Sequence, residues 1–251
     1  GHRPPPDVIA QSGYMREQIL ASYAIPPEHV HVVHNAVDTQ EYTPARRLAL
    51  REEMRARWQI PAEALCLLFL GHNFRLKGLW QMLEVLPRVQ GFGRPVHLLV
   101  AGKGTGEPQR RKARALVRSL GLDARVTFAG DVRPSLHAHA AADALLHLSW
   151  HDSFGFVSLE AMASGLPVVT TRYVGASELI RDGESGFLVD PASDEAIVAV
   201  IRRLVDDQLR ARIGAAAAIE GATHDEPCNF AQVLRVFETA VARGAGPITA
   251  G

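Results

Sequence analysis

The sequence predicts an α/β protein: a doubly wound parallel sheet, with a partial second unit of the same kind at its N-terminus. Three observations carry the prediction. From residue 65 to about 206, short apolar runs alternate with stretches of helical periodicity. Such repetition implies parallel strands, because a parallel connection needs a crossover of about a dozen residues. Runs such as "LCLLFLG" (65–71) are apolar on both alternating faces, which suits a Rossmann-like sheet covered by helices on both sides. With 251 residues and 47% hydrophobic content, the chain can bury the core of one or two domains.

Residues 1–60 differ from the rest. They hold two strand candidates, "DVIAQS" (7–12) and "HVHVVHN" (29–35), with a helix between them. Two strands do not make an independent domain, so residues 1–37 read as the remnant of another. "NAVDTQEYTP" carries turn signals for a linker near 38–44. The charged helix "ARRLALREEMRARWQ" completes a linker-and-helix segment over 38–64. The main domain, 65–206, has strand candidates at 65–71, 96–102, 125–130, 144–149, 167–171 and 186–190. Helical periodicity covers 78–90, 107–121, 133–142, 154–164, 174–181 and 192–206. Residues 207–251 hold two helices, "DQLRARIGAAAAIEGA" and "CNFAQVLRVFETAVARG", and a frayed "AGPITAG".

Composition excludes several classes of function. Lys plus Arg equals Asp plus Glu, 27 each, which argues against general nucleic-acid binding. The two cysteines, Cys66 in an apolar run and Cys228 in a polar one, show neither metal spacing nor a disulfide framework. No apolar run approaches the roughly 18 residues of a spanning helix, and no signal peptide is visible. A cytoplasmic setting is the default. The chain begins "GHRPPPD" without methionine, as a fragment or processed form would.

In an open α/β sheet, ligands bind beyond the carboxyl ends of the strands. The loops there are "HNFRLKG", "AGKGTG", "GDVRP", "WHDSFGF" and "RYVGASE". Arg75 and Lys77 offer positive charge, and Lys103 stands among Gly102, Gly104 and Gly106, where backbone can approach a ligand. "SFGF" and "VGAS" open helices, whose free amides favour phosphate. The plainer reading is that the glycines make turns and the cations are solvated; five convergent loops favour a phosphate-bearing ligand. "GKGTG" completes neither a dinucleotide fingerprint nor a Walker loop.

Asp152 and Glu160 stand eight residues apart around a helix start expected near Phe154, with Ser153 as the cap. Eight residues span about two turns, so both acids can line one cleft at different depths. A carboxylate can accept two hydrogen bonds from a vicinal diol, as sugars require. The plainer alternative makes Asp152 a cap and Glu160 a solvated acid. The apolar flanks "VSL" and "AMA" argue against it for Glu160, since a charge on a buried face needs a partner.

These residues resemble a known family. "HDSFGFVSLEAMASGLPVVTT" is similar to the acid-x7-Glu signature of retaining family 4 nucleotide-sugar glycosyltransferases of the B-type fold. "VHVVHNAVDTQEYTP", "LLVAGKG", "RVTFAGDV" and "VGASELIRDGESGFLVDP" fit in order and spacing, so the likeness covers about residues 7–243. "FLGHNFRLKGLWQMLEVL" resembles the lipopolysaccharide-core glucosyltransferases in particular. The resemblance implies that Lys77 contacts a donor diphosphate, helped by Arg75. It implies that Glu160 binds the ribose and Asp152 the transferred sugar. The amides of Phe154, Gly155 and Phe156 would meet sugar or phosphate, and Val132 would frame the base; Gly102 and His72 complete the donor site. No cofactor and no metal is required. The donor is a nucleotide sugar, UDP-linked first among candidates, and the acceptor a glycan or a lipid-linked one. An acceptor of that kind leaves open peripheral association with the inner face of a membrane through the absent domain.

Three departures stand out. Asp152 replaces the usual Glu and reaches about 1.5 Å less, one carbon–carbon bond. His72 stands where the family has Arg, and Arg75 is the candidate to restore the charge. Most of the acceptor-binding domain, on which the terminal helix would pack, has no counterpart here. Two alternatives remain: a non-catalytic nucleotide-sugar-binding module or truncated relic, and a B-fold epimerase, which the acid-x7-Glu pattern disfavours. Of the histidines, His29, His31 and His34 invite a metal, but no carboxylate or cysteine is expected to complete it. His137 and His139 read as surface helix residues, His147 as a satisfied core histidine, and His151 as a neighbour of the site.

Overall fold

The computed structural model describes residues 5–244; the expected frayed segment lies outside them. Strand β1 (Val8–Ala10), helix α1 (Gly13–Ser22) and β2 (Val30–Val32) form a βαβ unit whose strands pair in parallel. Helix α2 (Pro44–Arg57) starts where Thr43 accepts the Arg46 amide and Pro44 fills the first helical position. Then come β3 (Leu65–Leu70), α3 (Leu79–Val85), β4 (Val96–Ala101), α4 (Glu107–Ser119) and β5 (Val126–Gly130). They are followed by α5 (Leu136–Ala141), β6 (Ala144–His147), α6 (Phe156–Ala163), β7 (Val168–Thr170), β8 (Phe187–Leu188) and α7 (Asp194–Arg203). Helices α8 (Asp207–Ala222) and α9 (Glu226–Gly244) close the described chain.

All eight expected strands are present, and both sheets are parallel. The helix expected over 174–181 is only a 3-10 turn, Gly175–Leu179. Its first amides are used elsewhere: Gly175 N–H donates to Asp152 O at 3.1 Å and Ala176 N–H to Phe154 O at 2.7 Å.

The larger sheet has the order β5-β4-β3-β6-β7-β8 and a core on each face. Strand β3 shows why: Leu65, Leu67 and Phe69 enter the core shared with α3, α4 and α7, while Cys66 and Leu68 enter the one shared with α5 and α6. Burial pushes the Cys66 thiol up to about 12, so it behaves as a small apolar residue. Beneath the second core, Asp143 accepts the Cys66 amide at 2.7 Å and hydrogen bonds from Arg51 at 2.5 Å and Arg55 at 3.3 Å. The buried Arg55 also donates to the carbonyls of Pro61 and Ala64.

Helix α9 is tied to the chain that flanks the two-stranded sheet. Asn229 Nδ2 donates to His34 O at 2.6 Å, and Arg243 reaches Asp7 at 2.6 Å and Glu28 O at 3.1 Å. Asp7 also corrects the expectation for the histidines, because a carboxylate does stand between His29 and His31, at 3.3 and 2.8 Å. Arg243 supplies the cation there. Among the described residues no three His, Cys, Asp or Glu are grouped to hold a metal, and no helix is long and apolar enough to cross a membrane.

Candidate functional site

The chain runs outward from β3 to β5 on one side and from β6 to β8 on the other. The order reverses between β3 and β6, and α3 and α6 pack into opposite cores. A crevice opens beyond the strand ends at such a reversal. Two loops form its lips, 71–78 after β3 and 148–155 after β6. They are strapped together: the Trp150 amide donates to Leu76 O at 3.0 Å, and the Ser149 hydroxyl shares its one hydrogen between that oxygen at 3.1 Å and His151 O at 2.9 Å.

The strap delivers Lys77 to Asp152, where the ammonium donates directly to Oδ2. His147 Nε2 lies 3.3 Å from the same oxygen, and its Nδ1 lies 2.9 Å from the Ser158 hydroxyl. Burial alone would raise the Asp152 carboxyl. His147 and then Lys77 outweigh it and hold the group well below the usual carboxylate range. Burial also lowers His147, more than Asp152 raises it, so the imidazole is neutral near pH 7. Asp152 is therefore an ionised acceptor there, unable to serve as a general acid.

Helix α6 begins at Phe156, two residues later than the sequence suggested, and Ser153 does not cap it. Gly155 holds the cap position with φ 86° and no capping side chain. A Cβ there would lie 2.7 Å from Val174 Cγ1 and 2.9 Å from His147 Cε1, so only glycine fits. The first-turn amides of α6 have no side-chain partner. Phe154 falls before the helix with its ring wholly buried, whereas Phe156 is 49% exposed.

One turn into α6, Glu160 faces a cleft of about 250 Å³ lined with Gly71, His72, Gly102, Val132 and Ser135. Gly102 lies so close to the neighbouring loop that a Cβ would sit 2.0 Å from Gly71 O. Gly71 also ties the cleft to the ion pair, since a Cβ on it would be 3.2 Å from Lys77 Cγ. The Ser135 hydroxyl donates to Glu160 Oε2 at 2.8 Å, which leaves the Tyr42 hydroxyl, 2.7 Å away, to donate to Ser135. Burial, opposed by Ser135 and assisted by Glu41, raises the Glu160 carboxyl. At the mouth, Asp131 meets Lys103 at 2.9 Å, Arg133 at 3.4 Å and His72 at 3.8 Å. The Lys103 hydrogen bond leads in lowering its carboxyl.

Glu160, Val132, Gly102 and His72 are thus brought together, with Lys77 and Asp152 joined at one rim. Arg75 is not among them: it is exposed and lines a separate groove with Trp80 and Trp150. The expectation that Arg75 restores the charge missing at His72 does not match this placement, because His72 lines the cleft of Glu160 and Arg75 does not. His139 corrects another expectation. It is fully buried, 6.1 Å from the Tyr42 ring, and burial pushes it down to about 3. His151 bonds Tyr14 at 2.8 Å and so ties the site to α1. Sequence reasoning missed Ser135, Tyr42 and Asp131. "GDVRPS" and "YTP" carry no periodic signal that would single them out.

The family model described as glycosyl transferases group 1 matches residues 51–219. The lipopolysaccharide core biosynthesis glycosyltransferase LpsE of Rhizobium meliloti (strain 1021) is 36% identical over 163 residues, 63% of this chain and 45% of that protein. The D-inositol 3-phosphate glycosyltransferase of Acidothermus cellulolyticus is 31% identical over 235 residues, 90% of this chain and 51% of that one. The chain therefore spans about half the length of the curated relatives it matches. The crystal structure of Anabaena Alr3699/HepE in complex with UDP and glucose is similar with a TM-score of 0.82, over 94% of this chain and 63% of that one. At 22% identity that likeness speaks for the fold.

Proposed function

This chain belongs to the group 1 glycosyl transferase family, and from that premise we propose that it forms the nucleotide-sugar-binding half of a retaining hexosyltransferase. The observation that carries the reading is the placement of two acids around one helix start, at the reversal of strand order. Asp152 is paired with Lys77 at the rim, and Glu160 lies in the cleft behind it. In this reading Glu160 accepts the ribose hydroxyls, Val132 flanks the base, and His72 and Gly102 border it. The uncapped amides at the start of α6 face the donor with Lys77.

Each side chain has a distinct task. Lys77 meets the charge that develops on the departing diphosphate, an electrostatic stabilisation that needs no proton transfer. Asp152, kept ionised, accepts hydrogen bonds from the hydroxyls of the transferred sugar. UDP is the first candidate nucleotide, supported by the structural neighbour solved with UDP and glucose. The β1–β2 unit with α9 then belongs to the acceptor-binding domain, and the acceptor is a glycan or lipid-linked glycan.

Calorimetry with UDP, GDP and ADP tests the reading. One nucleotide should bind, and Glu160→Ala should weaken it by about 1.5–3 kcal/mol, the worth of hydrogen bonds to a charged group. A folded chain that binds none of the three would overturn the proposal, and an unchanged affinity would remove Glu160 from the site.

A further inference from the structure

The strap at Leu76 has a second side. There a groove of about 530 Å³ is lined by Asn73, Arg75, Leu76, Trp80, Gln81 and Trp150. Its chemistry is mixed: two indoles, two carboxamides and a single guanidinium. Trp150 is 41% exposed, although burying an indole is strongly favourable. The Lys112 ammonium stands 5.6 Å from the centre of the Trp80 ring. Gln81 Oε1 is buried without a hydrogen-bond partner, and a buried acceptor left unmet is costly.

A pyranose matches these features together. Its C–H face suits the flat indole of Trp150, and its hydroxyls can donate to Gln81 Oε1 and accept from Arg75 and Asn73. A phosphate would call for more than one cation in the groove; among the described residues Arg75 is the only cation that lines it, and the Lys112 ammonium is engaged with the Trp80 ring. A membrane anchor would present its tryptophans on a protruding surface, whereas these line a concavity. The groove shares a wall with the ion pair, since Leu76 precedes Lys77 and Trp150 lies two residues before Asp152.

We infer that this groove is a saccharide subsite, which takes a neutral pyranose of the acceptor or product glycan by stacking on Trp150 and hydrogen bonding to Gln81. That the sugar belongs to the acceptor or product rests on the transferase reading above; that a sugar binds does not.

Saturation-transfer NMR and calorimetry of this chain with the methyl α-glycosides of glucose, galactose and mannose, and with maltotriose, test the inference. At least one should bind saturably. Trp150→Ala should weaken it about tenfold and Trp150→Phe far less, as loss or retention of an aromatic stacking face predicts. Gln81→Leu should weaken it severalfold and carries the test if Trp150→Ala does not fold. UDP affinity should be the same in Gln81→Leu, a position that belongs to neither the strap nor the cleft of Glu160. No saturable binding by any of the four sugars overturns the subsite, as does sugar binding indifferent to both Trp150→Ala and Gln81→Leu. Binding to phosphatidylglycerol vesicles that Trp150→Ala abolishes, without sugar binding, makes the groove a membrane contact instead. Sugar binding without any nucleotide binding keeps the subsite and removes the transferase reading.

Discussion

The two sheets of this molecule are built from the same βαβ grammar and end in opposite conditions. In the larger, β4, β6 and β7 are buried at every position. In the smaller, β1 and β2 bury one residue each and α1 buries none. Ile9, Val32 and Tyr23 are left exposed around the smaller sheet, and α9 exposes Phe230, Leu234, Phe237 and Val241. Those four recur at spacings of four, three and four, which aligns them in one stripe. The contrast shows that apolar patterning sets up the strands while cover decides whether a core closes. Six strands with helices on both faces enclose two cores; two strands and two helices leave apolar surface outside.

The largest effect is expected beneath the closed sheet. Asp143→Ala strands the buried Arg55 guanidinium without its counter-ion and should cost about 3–5 kcal/mol. A urea midpoint close to wild type would show that the carbonyls of Pro61 and Ala64 suffice for Arg55. Next comes Gly155→Ala, which forces a left-handed φ and a clash on the loop joining His147 to α6. It should lose about 1–3 kcal/mol of stability and weaken nucleotide binding. Full stability would mean that the loop can rearrange at little cost.

The two acids should respond to pH with opposite signs. Asp152, lowered in the fold, adds stability above its ordinary value of 3.8, and that stability is lost as pH falls through the folded value. Glu160, raised in the fold, favours folding while protonated and loses that contribution as pH rises through its raised value above 4.5. Melting curves from about pH 3 to about pH 8 should therefore diverge. Glu160→Gln should gain on wild type as pH rises, and Asp152→Asn should fall behind it above 3.8. A Glu160→Gln curve parallel to wild type, or an Asp152→Asn curve level with wild type above 3.8, would contradict the corresponding shift. The smallest effect belongs to the open side: Phe237→Lys should change stability by no more than about 0.5 kcal/mol. A larger loss would mean that the stripe is already packed.

Most of the fold was legible in the sequence, because burial leaves a periodic record. Residues 65–69 of β3 alternate between the two cores, and all eight strands were found from such runs. The family resemblance rested on the contiguous 151–171 segment, and the match to the group 1 model bears it out. Partnerships across the chain were harder to read. Lys77 meets Asp152 across 75 residues and Tyr42 meets Ser135 across 93, and no local period records such pairings. The start of α6 was misread because serine is the commoner cap, while the crowding that demands glycine at 155 comes from Val174 and His147. His139 was misread because helix α5 is buried around most of its circumference, not on one stripe. Arg75 was expected to replace the charge missing at His72, but it lines the groove of Trp80 and Trp150 while His72 lines the cleft of Glu160.

The carbonyl of Leu76 receives both the Trp150 amide and the Ser149 hydroxyl. The amide is the committed donor, since the hydroxyl has one hydrogen and shares it with His151 O at 2.9 Å. The peptide that carries Lys77 is thus ordered when the domain folds, before any ligand arrives. The conformational entropy of this lip is surrendered once, during folding, and is not levied again on each binding event. The lysine stands pre-organised with its counter-ion in place, so any anion that meets it exchanges one partner of an ordered ammonium for another and has no loop to fold.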